Sequence, residues 1–117
     1  MLYFVWPTLK GGDMEIESQR VPEVPSPKAT AICTAISERC EIQFLYQGQP
    51  ILLEPHILFN DIAGEAIVEG IVRRYGFVRF RLSDIRDHPV LKRGAKFTPD
   101  LSFNPVDPSY CEVFCSL

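Results

Sequence analysis

Four arginines cluster in a short stretch of the sequence, at positions 73, 74, 79 and 81. If this stretch is a β-strand, Arg79 and Arg81 point to the same face, about 6–7 Å apart, because alternate residues share a face. Two guanidinium groups at that spacing can hold a phosphate or a carboxylate through paired hydrogen bonds. The structural alternative is cross-strand pairing with Glu69 and its neighbours, each pair stabilising the sheet by about 0.2–1 kcal/mol.

Aromatic and imidazole side chains could complete a site beside these arginines. Arg73, Arg74 and Tyr75 at a hairpin tip would suit a phosphate and a stacked base, and His56 could donate to the same phosphate. The alternatives are a solvated tip and a half-buried histidine bonded to a turn. The sequence therefore predicts these ligand-binding residues: Tyr46, His56, Arg73, Arg74, Arg79 and Arg81.

Sequence patterns of the common enzyme and metal sites are absent. The chain contains no phosphate-binding G-x-x-x-x-G-K-[ST], no G-x-S-x-G and no H-E-x-x-H. Its two histidines, His56 and His88, are 32 positions apart and offer no paired ligand spacing. We therefore expect a protein without catalytic activity, cofactor or bound metal.

Composition is that of a small globular domain with an uneven distribution of charge. The chain has 117 residues and a net charge of −3, with 46% hydrophobic residues, and no apolar run reaches the roughly 18 residues that span a bilayer. Residues 1–70 carry four basic and ten acidic side chains, whereas residues 71–96 carry eight basic and two acidic ones. A local positive face is therefore expected despite the net negative charge.

The N-terminus and the cysteines indicate a location in the cytoplasm. The apolar residues 1–9 lack the basic start and cleavage site of a signal peptide, and Met14 could be the true start. Thiols stay reduced in the cytoplasm. Cys33 and Cys40 lie seven positions apart on a predicted helix and Cys111 and Cys115 four apart on a predicted strand, so neither pair can form a disulfide. Four reduced, buried thiols are expected.

One helix followed by five short strands is the predicted order of elements. Residues 1–25 are read as an N-terminal arm. A helix over 27–40 begins with Ser26 as N-cap and Pro27 at its first position, and it packs through Ile32, Cys33 and Ile36. Strands are predicted at 41–46, 51–59, 65–73, 77–82 and 110–117, with a helical turn at 83–86. This pattern predicts a mainly β (α+β) fold, a small closed barrel of five strands with the preceding helix over one opening.

The third and fourth predicted strands allow their register to be worked out. If residues 74–76 form the loop, with Gly76 in the left-handed conformation, Glu69 lies opposite Arg81 and Val68 opposite Leu82. One face of the hairpin is then apolar, and the other carries opposite charges across the ladder.

An ordered set of motifs resembles the WYL domain family. The helix end is similar at 35–39 (AISER), the first strand at 42–46 (IQFLY), the second at 54–58 (EPHIL) and the fourth at 80–85 (FRLSDI). The tail, 97–107, is similar to the Phe-rich end of short stand-alone members. The chain departs from the family at 66–68, where AIV replaces Trp-Tyr-Leu, and at 83–84, where Ser-Asp replaces Asp-Arg.

This resemblance implies a small Sm-like five-stranded β-barrel preceded by one N-terminal helix. It would form a single WYL-like domain over residues 26–117, with barrel strands at about 41–83 and a tail and closing strand at 97–117. The resemblance also implies a bacterial sensor domain that binds a nucleotide or single-stranded nucleic acid. We therefore predict a non-catalytic ligand-sensing or regulatory module with no membrane association. The alternative is a structural module in which the apolar arm, including residues 2–6, assembles with a second copy or a protein partner.

Overall fold

The computed structural model describes residues 26–117 as one helix and six strands, and the predicted arm at 1–25 lies outside this range. The elements are α1 (Pro27–Glu38), β1 (Cys40–Tyr46), β2 (Gln49–Asn60), β3 (Ala66–Val72), β4 (Gly76–Arg81), a 3₁₀ turn (Leu82–Asp84), β5 (Val90–Lys96) and β6 (Glu112–Ser116). The predicted mainly β fold with one leading helix is confirmed.

Helix α1 starts as the sequence predicts and ends two residues earlier. The Ser26 side chain accepts a hydrogen bond from the backbone N–H of Ala29, and Pro27 follows at the first helical position. At the other end Arg39 adopts the left-handed conformation, with φ 55°, which turns the chain into β1. The helix buries Ala31, Ile32, Ala35 and Ile36, so the predicted packing is confirmed for Ile32 and Ile36, while Cys33 is partly buried.

The strands form one antiparallel sheet in the order β4-β3-β2-β1-β5, and β6 also pairs with β2. Two strands therefore share one edge of the long strand β2. Residues 49–53 of β2 pair with β1, and residues 57–60 pair with β6. The pairings within residues 26–117 do not join β4 to β5, so the predicted barrel is described here as a curled six-stranded sheet.

Strand β5 occupies residues that the sequence pattern assigned to a polar loop. Most of its side chains are exposed, because it is an edge strand that pairs with β1 alone. An edge strand without apolar alternation gives little signal in a sequence.

The β3–β4 hairpin is shifted by two residues from the predicted register. Glu69 lies opposite Arg79, Val68 opposite Phe80 and Val72 opposite Gly76. The loop is therefore 73–75, and Gly76, at φ 87°, closes the ladder instead of belonging to the loop. A shift of two keeps every side chain on its predicted face.

A β-bulge in the middle of β2 turns His56 out of the pairing with β3. The register moves from Pro55 opposite Gly70 to Ile57 opposite Glu69. Gly70 is required here, because a Cβ at this position would lie 2.9 Å from the Cα of Pro55 and closer still to the carbonyl of Glu54. The bulge thus depends on close approach of the two backbones.

Two hydrophobic clusters lie on opposite faces of the sheet. The inner cluster joins α1 to the curled sheet through residues that include Ile32, Ile36, Phe44, Leu53, Leu58, Val68, Phe80 and Ile85. The outer cluster consists of Ile57, Phe59 and Ile67, with Phe103 and Tyr110 packed against it. The segment 97–110, between β5 and β6, therefore covers the outer face.

The prediction of four reduced thiols is wrong at two positions, since Cys33 and Cys115 form a disulfide. Their Cα atoms lie 5.8 Å apart although the residues are 82 positions apart in sequence, because β6 returns beside α1. Arguments from spacing tested neighbouring cysteines and could not detect this contact. Cys40 is a buried free thiol and Cys111 an exposed one.

Candidate functional site

The structure separates the six predicted ligand-binding residues into three groups. Tyr46, Arg73 and Arg74 lie at the hairpin end of the curled sheet. Arg79 and Arg81 share the outer face of β4, as the alternation of the strand predicts. His56 is buried, with 0% exposure, so it is not a surface neighbour of the arginines.

His56 has the surroundings of a structural residue. Its ring lies 5.2–5.3 Å from the rings of Phe77, Phe97 and Phe103. Nδ1 lies 2.8 Å from the carbonyl oxygen of Glu54, and Nε2 accepts a hydrogen bond of 3.1 Å from the backbone N–H of Asp100. The histidine therefore connects the bulge in β2 to the covering segment.

Arg79 is held by the chain's own side chains. Its guanidinium donates to Glu69 at 3.0 Å and to the Ser109 hydroxyl at 2.8 Å, and it lies over the rings of Phe59 and Tyr110. Burial, followed by the hydrogen bond and charge of Glu69, raises the pKa of Tyr110 to about 12. The segment 97–110 thus binds the guanidinium of Arg79 on one side, while the side chain stays 43% exposed.

The other two arginines of the predicted face also have acidic partners. Arg81 lies 3.3 Å from Asp84, and Arg73 lies 3.2 Å from the nearly buried carboxylate of Glu41. The sequence analysis named only Glu69 among the acids that could neutralise this face. The structure supplies a separate carboxylate for each of Arg73, Arg79 and Arg81, so the predicted surplus of positive charge is reduced.

A second carboxylate lies close to the Arg73–Glu41 pair. Burial, and to a lesser degree the charge of Glu41, raises the pKa of Glu54, while Arg73 acts in the opposite direction. Arg73 therefore stands beside two acids on adjacent strands, although its own side chain is 79% exposed.

An open groove lies between the first half of β2 and the tip of the β3–β4 hairpin. It forms because the pairing of β2 with β3 begins only at Glu54, so the described strands leave this edge of residues 49–53 unpaired. The groove has a volume of about 820 Å³ and is lined by Gln43, Gln49, Pro50, Ile51, Leu52, Val72, Arg73, Tyr75, Val78 and Phe80.

The groove combines a largely apolar floor with polar groups at its rim. Tyr75 at the rim is 82% exposed and offers a ring face to solvent. Tyr46 packs behind the groove, its ring 5.0 Å from that of Phe80. Such a groove can hold a flat apolar group, with amide and guanidinium donors available to polar groups at its edge.

Sequence reasoning identified the tip of this groove and missed its walls. Arg73, Arg74 and Tyr75 were marked by their adjacency at a hairpin tip. Gln43 and Gln49 carry no signal of their own in the sequence. They line the groove because β2 is paired with β1 here and with β3 only further along, which strand alternation does not reveal.

The described residues show neither a metal-binding cluster nor a membrane-spanning helix. Within 26–117, no three His, Cys, Asp or Glu side chains are grouped so that they could hold a metal ion. In the same range no helix is both long and apolar enough to cross a membrane.

Comparison with known proteins adds a likeness of fold. No family model matches the chain, and no curated protein matches it. Among solved structures, it is similar to proteasome accessory factor B/C (PafBC) of Arthrobacter aurescens, with a TM-score of 0.58 and 23% sequence identity. The likeness covers 63% of this chain and 13% of that one. The chain thus shares its fold with a small part of PafBC, while the resemblance to WYL domains rests on the sequence motifs.

Proposed function

We propose that this chain is a non-catalytic ligand-sensing or regulatory module that binds a nucleotide or a single-stranded nucleic acid in the hairpin-end groove. One observation carries the proposal: the groove sets an apolar floor beside the exposed ring of Tyr75 and the guanidinium of Arg73. The fold shared with a segment of PafBC, a proteasome accessory factor, supports a regulatory module.

Each part of such a ligand has a matching group at the groove. A base can stack on Tyr75, and base–aromatic stacking is worth about 1–3 kcal/mol per base. A phosphate can accept hydrogen bonds from Arg73, which is 79% exposed despite its contact with Glu41. Arg74, exposed at the same tip, can contact the next phosphate of a strand. The amides of Gln43 and Gln49 can bond to base edges.

Fluorescence anisotropy with a labelled short single strand and a labelled mononucleotide tests the proposal. We expect Tyr75→Ala to weaken binding of the strand by about tenfold to a hundredfold, as the loss of one stacked base implies. Replacing Arg73 and Arg74 with glutamine should weaken binding and reduce its dependence on salt concentration. Absence of binding by the wild type even at low salt would refute the proposal.

Arg81→Gln is the matched control for these substitutions. It removes an arginine from the outer face of β4, away from the groove, where Arg81 pairs with Asp84. Binding should be nearly unchanged in this variant. Equal losses in the Arg81 variant and in the groove variants would show that binding follows overall charge rather than the groove.

The alternative function, an assembly module, is favoured by a surface that adjoins the groove and shares Leu52 with it. On the outer face of β1, β2 and β5, Leu45, Leu52 and Val90 are 46%, 50% and 54% exposed. Leu52 and Val90 flank Gln43 in one row across three strands, and Leu45 lies two positions beyond Gln43 on the same face. The apolar arm that the sequence predicts for assembly lies outside the described residues.

Sedimentation velocity over a range of concentrations tests this alternative. If the row is an interface, the wild type should self-associate, and a variant with Leu45, Leu52 and Val90 changed to serine should not. Apolar association should persist at high salt, whereas nucleic-acid binding should weaken. A wild type that stays monomeric excludes self-assembly through this face.

A further inference from the structure

The segment 97–110 is fixed to the outer face of the sheet at two separate places. Near its end, Ser109 bonds to Arg79, and Tyr110 packs against Phe59. Near its start, the backbone N–H of Asp100 donates to His56. Between them Phe103 packs against the outer cluster. At the very start of the segment the backbone N–H of Phe97 also donates to the carbonyl of Arg39. Between that bond and Phe103, the segment is held by the His56 contact.

The hydrogen bonds of His56 define the protonation state of its ring while the segment 97–110 lies on the sheet. Nε2 receives the N–H of Asp100, so this nitrogen must carry a lone pair and no proton. Nδ1 faces the carbonyl of Glu54, which can only accept, so this nitrogen carries the proton. The observed contact of the segment 97–110 with His56 thus requires the neutral tautomer with its proton on Nδ1. In a protonated ring, the Nε2–H group would face the backbone N–H of Asp100, and two donors cannot bond to each other.

The groups around the ring come from each element packed against it. Glu54 precedes it on β2, and Asp100 faces it from the covering segment. The Asp100 carboxylate is engaged with Ser102, and the hydrogen bonds from Ser102 hold the pKa of Asp100 below its ordinary value. From β4 the neighbour is the apolar ring of Phe77, and from the end of β6 the backbone N–H of Leu117 bonds to the carbonyl of His56.

We propose that residues 98–104 form a proton-sensitive flap, which is released from the outer face when Nε2 of His56 takes up a proton. The proton replaces the lone pair that receives the Asp100 N–H, so this hydrogen bond breaks. Glu54, which stays on β2 beside the ring, attracts the charged ring once the flap has opened.

Both ends of the flap stay anchored during this opening. On the N-terminal side of the flap, β5 remains paired with β1. On its C-terminal side, β6 remains paired with β2 and joined to α1 through the Cys33–Cys115 disulfide. Release therefore uncovers Phe77 and the outer cluster without unfolding the sheet. The released loop connects two fixed strands, so it can close again when the ring loses its proton.

Amide hydrogen exchange by NMR, at pH values from about 7.5 down to about 5.5, tests the flap. The protection factor of the Asp100 amide, corrected for intrinsic exchange, should fall by up to tenfold per pH unit in this range, as expected when opening takes up one proton. Amides in β1 should keep their protection. Constant protection of Asp100 over the range would overturn the proposal.

The chain has two histidines, which provides a matched control. His88 is exposed in the loop before β5, so His88→Gln should leave the pH dependence unchanged. In His56→Gln the Asp100 amide should be weakly protected at every pH. If that variant fails to fold, the nitrogen resonances of His56 in the wild type decide: an Nε2–H tautomer at pH 7.5 contradicts the proposal.

Discussion

The ring of Phe80 on β4 lies 5.2 Å from the ring of Phe44 on β1, and the two planes meet at 79°. Two other strands, β2 and β3, separate β1 from β4 in the sheet. The rings can therefore meet only because the sheet curls until its inner faces touch. This edge-to-face contact closes the interior at the end where the groove opens.

Phe80→Ala should lower the free energy of unfolding by about 3–5 kcal/mol, because it removes a buried ring and leaves a cavity between two hairpins. Chemical denaturation followed by circular dichroism measures this change. Tyr75→Ala is the control at the same end of the sheet: its side chain is 82% exposed, and the expected change is within about 0.5 kcal/mol. Similar losses in both variants would contradict the inner packing of Phe80.

Gly70→Ala should destabilise the protein by at least about 1–3 kcal/mol, the cost of forcing a methyl group into a packed site. The added Cβ would meet the backbone of Glu54 and Pro55, which cannot move without disturbing the bulge. Gly94→Ala is the matched control on the edge strand β5, where no atom lies within 4 Å of the new Cβ. Thermal melting should separate the two variants, and a harmless Gly70→Ala would show that the bulge is placed wrongly.

Loss of the Cys33–Cys115 disulfide should lower stability by up to about 4.5 kcal/mol, the loop-closure value for a cross-link of this span. Denaturation of the Cys33→Ser variant measures the loss, and Cys111→Ser, which removes an exposed free thiol, is the control. Since lasting disulfides are typical of oxidising compartments, the redox state of this pair in cells also tests the expected cytoplasmic location.

Thiol labelling of the native protein provides an independent check on the pairing. Cys111 should react quickly, because it is exposed. Cys40 should react slowly, because it is buried and burial raises the pKa of its thiol. Rapid labelling of Cys33 or Cys115 without a reductant would show that the bond is absent.

Tyr110 should make the fold sensitive to alkali. Its pKa is raised from 10.0 to about 12, so the folded state favours the neutral phenol. This contribution to stability is complete below about pH 10, and it is lost as the pH rises through about 12. Tyr110→Phe should remove the phenol that titrates near pH 12 from a near-ultraviolet absorbance titration and flatten the alkaline loss of stability. An unchanged titration would contradict the assignment.

The sequence predicted the parts of the fold that depend on local signals. Ser26 and Pro27 mark the helix start, and alternation places Arg79 and Phe80 on opposite faces of β4. Local signals in the sequence did not predict contacts between distant residues. The Cys33–Cys115 bond depends on the position of β6 beside α1. The burial of His56 depends on a bulge in β2 that no turn-forming residue in the sequence predicts.

The candidate site was predicted in part for the same reason. Adjacent residues at the hairpin tip, Arg73 to Tyr75, could be recognised from their order in the chain. The groove beside them exists because one strand changes partners along its length. The contacts of Arg79 with Ser109 and Tyr110 bring together residues 30 or more positions apart. Composition and spacing do not reveal such contacts.

The divided edge of β2 also bears on how the chain folds during synthesis. Residues 49–53 find their partner in β1, which has already been made when β2 emerges. Residues 57–60 pair with β6, which is synthesised about fifty residues later. In the interval this edge exposes unpaired backbone groups next to apolar side chains, the kind of surface that pairs wrongly with other strands. A ribosome-bound chain that stops before residue 112 should therefore engage chaperones more strongly than one that includes β6.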